Sequence, residues 1–196
     1  MRKIFLFIVL FSVFISREYV DCFSDENKTT SSHNKSNSEV SIKQIKISWG
    51  YKETSRSREI NTIIIHSMYN PLVADSFGIE SIVSVLKKYR VAAHFVVGRD
   101  GTIYQLVDVK NSAYHAGVSR MPDGRTQVNR FSIGIEVINS LHTSPTETQY
   151  YSLSQLVRML QSNYKITSIL GHNQIAPNRK TDPWNFDWNK FRHMIQ

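Results

Sequence analysis

The chain has a single cysteine, Cys22, which excludes an internal disulfide framework and any zinc site built on several thiolates. It has no internal repeat and no RNA- or DNA-binding motif. Its basic residues give a formal net charge of +8 but are scattered, apart from Lys87-Lys88 and Arg179-Lys180. Nucleic acid is therefore not expected as a partner, and an anionic surface or acidic polymer is the remaining use for the charge. No apolar run is long enough to span a bilayer comfortably; the N-terminal one, Ile4 to Ile15, is broken by Ser12. With 196 residues, 41% hydrophobic and 20% charged, the chain has room for one domain with a proper core, not two.

What is present begins with Met1-Arg2-Lys3 ahead of that apolar run, the shape of a secretory signal over residues 1–24. A buried core helix is the alternative, and it is disfavoured by the extreme N-terminal position ahead of a polar tract. A periplasmic or secreted location follows from the signal. Cys22 and Ser24 both offer small residues near a cleavage point. Lipid on Cys22 would anchor the protein to a membrane, although Tyr19-Val20-Asp21 suit such a signal poorly. Residues 25–44 are too polar to bury a core and are expected to form a disordered tether, with His33 solvated in it. The folded domain is expected over 45–196, as a monomer.

Within that domain, the β-branched run Ile60 to Ile65 predicts a strand buried on both faces, ending in His66. Ser76 to Tyr89 has helical spacing, with Asp75 or Ser76 as N-cap. A hairpin is expected from Ala93 to Leu106 around Arg99-Asp100-Gly101-Thr102. After a long loop to Arg130, Phe131 to Ile138 predicts a second buried strand. Thr146 to Asn163 predicts an amphipathic helix, Ile166 to Leu170 a further strand, and Trp188 to Ile195 a closing helix. The alternation implies an α/β fold: a single domain with a mixed central sheet flanked by helices.

The loop Gly171 to Trp184 packs an imidazole, a lysine and a carboxylate together, with Pro177 and Pro183 restricting its backbone. His172 and Asp182 are a ligand pair suited to zinc, and His66 after its strand is the proposed third. Three protein ligands leave a fourth position for water, whose pKa zinc lowers toward ~7. Ordinary strand-end histidines fit the same spacing equally well. Glu136 lies amid Ile133-Gly134-Ile135 and Val137-Ile138. An unpaired buried charge costs several kcal/mol, as an order of magnitude, so Glu136 has either a task, as general base, or a buried arginine as partner. Lys180 is placed to stabilise an oxyanion, or is simply a surface lysine. His115, beside Tyr114 and small residues, is expected to approach the same site. His94 is an alternative ligand or, more simply, a core histidine.

Five segments together resemble the zinc-dependent N-acetylmuramoyl-L-alanine amidases of the type 2 family, which also contains phage lysozyme-type amidases and peptidoglycan recognition proteins. They are Ile63-Ile64-Ile65-His66, Ala93-His94-Phe95 with Arg99-Asp100-Gly101, Tyr114-His115-Ala116-Gly117-Val118-Ser119, Ser132 to Glu136, and Gly171-His172 through Arg179-Lys180-Thr181-Asp182-Pro183, in the family's order. The resemblance implies one Zn2+ per chain on His66, His172 and Asp182, with Glu136 and Lys180 catalytic. Tyr114, His115 and Arg179 are taken as substrate contacts. The implied reaction is hydrolysis of the amide between N-acetylmuramic acid and L-alanine, on peptidoglycan or muropeptide. The alternative is a module that binds peptidoglycan without cleaving it. Aspartate as third ligand is similar to the bacterial branch. Trp184 departs from the glycine that commonly follows the Asp-Pro pair, and Tyr114 from a frequent tryptophan.

Overall fold

The computed structural model describes residues 40–196. The expected signal segment, and the expected linker as far as residue 39, lie outside the described residues. In chain order the elements are β1 (Ile42–Gln44), β2 (Tyr51–Lys52), β3 (Thr62–Met68), α1 (Ile79–Tyr89), β4 (Phe95–Val97), β5 (Ile103–Gln105), β6 (Ser112–Ala113), a 3-10 turn (Val128–Arg130), β7 (Ser132–Ile138), α2 (Glu147–Asn163), β8 (Ser168–Gly171), α3 (His172–Ile175) and α4 (Trp188–Met194). Six strands form one sheet in the order β1-β5-β4-β7-β3-β8, and β2 pairs with β6 as a separate ribbon. Only β4 and β5 run antiparallel within the large sheet. The sheet is mixed and carries helices on both faces, as the alternation of patterns implied.

β3 and β7 lie side by side at its centre. Their β-branched residues suit a pleated surface covered from both sides. Ile63, Ile65, Ile133, Ile135 and Val137 pack against Leu153, Leu156, Val157 and Leu160 of α2 and Phe191 of α4. On the opposite face Val96 and Ile138 meet Ile82 and Leu86 of α1, while Ile64 meets Ala116, Met121, Val128 and Ile175. Each such side chain contributes about 1.5–3 kcal/mol by leaving water. Successive strand residues point to opposite faces. Ile64 and His66 therefore share the face away from α2, and their register partners there are Gly134 and Glu136. The packing that orders the core also sets His66 beside Glu136.

Three elements differ from expectation. β3 continues past His66 to Met68, because β7 goes on pairing through Val137 and Ile138; the histidine is inside the strand, not at its end. α1 starts at Ile79 with Gly78 as N-cap and no side-chain cap, since Gly78 N–H instead closes a turn onto the Asp75 carbonyl. The expected linker ends too late: Ile42–Gln44 adds to β5 as an edge strand, and Val40 and Ile42 pack on the core. α2 begins as its sequence suggests, with Thr146 and Gln149 forming a reciprocal capping box. Among the described residues no helix is long and apolar enough to cross a membrane.

Candidate active site

β8 pairs with β3 so that Gly171 lies opposite Ile65. His172, the next residue, therefore emerges beside His66. It opens the short helix α3 rather than lying in a loop as expected, and the loop returns when Asn173 N–H bonds to the Asp182 carbonyl at 2.8 Å. His66 Nδ1 is 3.0 Å from His172 Nδ1. Asp182 Oδ2 lies 3.2 Å from His172 Nδ1 and 3.4 Å from His66 Nδ1. One ligand atom from each residue lies within 4.8 Å of the others, and all three residues are buried. The three residues singled out in the sequence converge.

The donor chemistry fits a cation. His172 Nε2 is 3.2 Å from the Ala116 carbonyl, which can only accept, so Nε2 carries the hydrogen and Nδ1 presents a lone pair. Burial pushes His66 down to about 4, so its ring is neutral at physiological pH, the state a metal ligand needs. Two imidazole nitrogens and a carboxylate oxygen, packed together out of water, repel unless positive charge lies among them. Nitrogen and carboxylate donors in this number suit a divalent transition metal, zinc above all.

Glu136 borders this group in register with His66. Its Oε2 is buried and has no hydrogen-bond partner. Burial, and then the charge of Asp182, push its carboxyl up from 4.5 to about 8, with Lys180 opposing. Among the described residues no arginine or lysine forms an ion pair with it, so the buried salt bridge considered from sequence is absent there. His66, Glu136, His172, Lys180, Asp182 and Trp184 line a common cleft of about 330 Å³.

The residues taken as substrate contacts divide. Tyr114, 42% exposed, lines the cleft. Arg179 lines it too, but donates from Nη2 to the Ala116 and Val118 carbonyls at 3.0 and 2.8 Å, stapling the loop that carries Tyr114. His115 lines the cleft as well, as expected, and is half-buried. Its Nδ1 is 3.0 Å from His66 Nε2 and its Nε2 is 3.1 Å from Ser132 Oγ, so both ring nitrogens are already engaged by the protein. Burial holds it well below the ordinary histidine value.

His94 is a core histidine. Its Nδ1 accepts from Gly134 N–H at 3.0 Å, and its Nε2 faces the Asn111 carbonyl and Arg58 Nη1, each at 3.1 Å. Burial, then the Arg58 charge, push it down to about 3. Sequence reasoning missed Arg58, and gave Ser132 no role of its own. A signal for where the His115 ring sits was Gly134, since a glycine inside a strand marks close approach. A Cβ there would stand 2.4 Å from His115 Cγ. Gly134→Ala is accordingly expected to destabilise the fold by about 1–3 kcal/mol through overpacking, read as a lower thermal midpoint; an unchanged midpoint would mean that the ring does not depend on this slot.

Comparison with known proteins agrees with this geometry. The family described as N-acetylmuramoyl-L-alanine amidase matches residues 56–185. The Haemophilus influenzae 1,6-anhydro-N-acetylmuramyl-L-alanine amidase AmpD is 35% identical over 158 residues, which cover 71% of this chain and 84% of that one. Other curated relatives of the same description are matched over 58% of their length. Among solved structures, an AmpD derivative superposes with a TM-score of 0.68 at 30% identity, covering 79% of this chain and 94% of that one. The Escherichia coli amidase AmiD, solved with the substrate anhydro-N-acetylmuramic acid-L-Ala-D-γ-Glu-L-Lys, superposes with a TM-score of 0.60 at 25% identity, covering 74% and 65%. With its family match spanning the site and its sheet superposing on theirs, the chain belongs to the N-acetylmuramoyl-L-alanine amidase family.

Proposed function

We propose that this chain is a zinc-dependent hydrolase of the amide between the lactyl group of N-acetylmuramic acid and L-alanine, acting on peptidoglycan fragments. The observation that carries it is the convergence of His66 Nδ1, His172 Nδ1 and an Asp182 carboxylate oxygen beside the buried, unpartnered Oε2 of Glu136. The relatives' names and the muropeptide seen with AmiD support the substrate class.

His66, His172 and Asp182 would hold the metal, which when bound acidifies water and polarises the amide carbonyl. Glu136 takes a proton from the attacking water as its oxygen adds to the carbonyl carbon. It returns that proton to the amide nitrogen as the C–N bond breaks, leaving a lactyl carboxylic acid and the free amine of L-alanine. The Lys180 ammonium faces the oxyanion that develops on the carbonyl oxygen. Tyr114 at the cleft rim contacts the substrate, on a loop that Arg179 holds in place.

Purified protein incubated with a defined anhydromuropeptide should release free stem peptide, detected by mass spectrometry. Dialysis against a chelator should abolish release, and added zinc should restore it. Release that survives complete metal removal would reject the zinc requirement. Capture of the muropeptide without any release would make the chain a binding module instead.

A further inference from the structure

Beside the metal group a column of side chains runs from His115 at the cleft wall to Ser132 in the interior, and the hydrolytic chemistry leaves it unused. Its polarity can be read from one end. The Val128 carbonyl is 2.6 Å from Ser132 Oγ, and a carbonyl can only accept, so the hydroxyl hydrogen points there. Ser132 Oγ then has only lone pairs to offer His115 Nε2, 3.1 Å away, and that nitrogen must carry the hydrogen. In the neutral ring this leaves His115 Nδ1 as an acceptor. His66 Nε2, 3.0 Å from it, is therefore the donor. The remaining nitrogen of His66, Nδ1, is left with its lone pair aimed at His172 Nδ1 and Asp182 Oδ2. Reversing any link would put a hydrogen on the face that meets the metal.

The column is also held in place. His115 N–H and Ala116 N–H both donate to Asn129 Oδ1, at 3.2 and 2.8 Å. The His115 ring stands edge-on to His66, with centroids 5.1 Å apart, over the slot opened by Gly134. His172 obtains the same tautomer directly from the Ala116 carbonyl. A backbone carbonyl thus terminates the chain behind each imidazole, one in a single step and the other through two intervening side chains.

We propose that His115 and Ser132 are positioning residues that fix the tautomer and ring orientation of His66 and thereby set the affinity of the metal site. This rests on the metal-binding reading above. A histidine ligand whose second nitrogen donates to a fixed acceptor is both oriented and made more basic, and loss of such a partner typically costs about 10–100-fold in metal affinity. Here the partner is a second imidazole, which can accept only because Ser132 dictates its polarity.

Zinc affinity of the full chain, measured by competition with a chromogenic chelator, tests this. His115→Phe keeps the ring volume without the acceptor and should weaken zinc binding by about 10–100-fold. His115→Asn, whose carbonyl oxygen can stand near the Nδ1 position, should recover a large part of that loss. Ser132→Ala removes only the polarity of the relay and should fall between His115→Phe and the unsubstituted chain. The nitrogen-15 shifts of the unsubstituted, metal-free protein should show His66 protonated at Nε2 and His115 at Nε2.

Wild-type affinity in folded His115→Phe would overturn the relay, as would equal losses in His115→Phe and His115→Asn, which would make ring packing the cause. A His66 protonated at Nδ1 would overturn it too, whatever the variants' stability. No zinc binding by the unsubstituted chain would reject the metal site and the relay together, whereas tight binding untouched by the variants rejects the relay alone.

Discussion

Glu136→Gln is expected to lower amide hydrolysis by about 10²–10⁴-fold, the range a positioned general base supplies, with zinc affinity nearly unchanged. The amide has the shape of the carboxylate, so the cleft keeps its packing, but it cannot take a proton from water or return one to the leaving amine. Glu136 is not among the three residues whose ligand atoms converge, which is why affinity and turnover should separate. The same substitution should stabilise the metal-free protein at alkaline pH. Burial raises the Glu136 carboxyl from 4.5 to about 8, so between those values the folded state holds a proton that the unfolded state has released. Stability of the wild type is then complete below about 4.5, falls as pH rises, and levels off beyond about 8. Glutamine does not titrate and escapes that loss. Denaturation midpoints of both metal-free proteins from pH 4 to 9 should therefore agree at the acid end and diverge in favour of the variant at the other. Parallel curves, or near wild-type turnover, would remove Glu136 from the role.

The core and the cluster of His66, His172 and Asp182 were legible because both are written in dense local signals. Ile63-Ile64-Ile65 and Ile133 to Ile138 are β-branched runs that suit little besides a doubly covered strand. A carboxylate inside one of them demands explanation. His172, Lys180 and Asp182 share one short stretch of sequence. The boundaries were less legible. β3 overruns His66 because its length is set by pairing with β7, which no residue of β3 announces. β1 is an edge strand of three residues, too short to show a period and preceded by polar sequence.

The residues behind the site were hidden for a different reason. Ser132 and Asn129 act through a single atom each, and their types are common in any loop or strand end. His115 was expected at the cleft, which it lines, but the seat of its ring was not foreseen. Placing it required knowing that Gly134 lies opposite Ile64 in register and leaves room for a ring. Arg58 sits in Glu53-Thr54-Ser55-Arg56-Ser57-Arg58-Glu59, a stretch that reads as solvated throughout. Nothing in it distinguishes Arg58 from Arg56. Only the fold does so, by wrapping carbonyls around one guanidinium.

That wrapping makes Arg58→Ala the most damaging substitution expected outside the cleft. Its guanidinium donates to the carbonyls of Arg130 at 3.2 Å, Val109 at 2.8 Å, Asn129 at 2.9 Å and Ser132 at 2.6 Å, and to that of Asn111. Among the described residues no carboxylate pairs with it. The charge is satisfied by peptide dipoles alone, and burial lowers its pKa only to about 10, so it stays charged at neutral pH. These carbonyls belong to the segments on either side of His115, and Ser132 begins β7. One side chain therefore ties the loop carrying His115 to the strand carrying Glu136. Hydrogen bonds from a charged donor are worth about 1.5–3 kcal/mol each, but they share one cation and do not add. Removing that cation leaves several part-buried carbonyls without a partner, at about 1–3 kcal/mol for each such group, so the loss should be about 3 kcal/mol. In a chain of this size that corresponds to a thermal midpoint lower by on the order of 10 °C. Arg58→Lys should recover little, because one ammonium cannot reproduce a planar fork that reaches several carbonyls at once. Thermal unfolding of the two variants beside the wild type decides the matter. A midpoint within about 2 °C of wild type for Arg58→Ala, less than the shift expected from 1 kcal/mol, would show that water replaces the guanidinium without cost, and that the loop behind the site is held by something else.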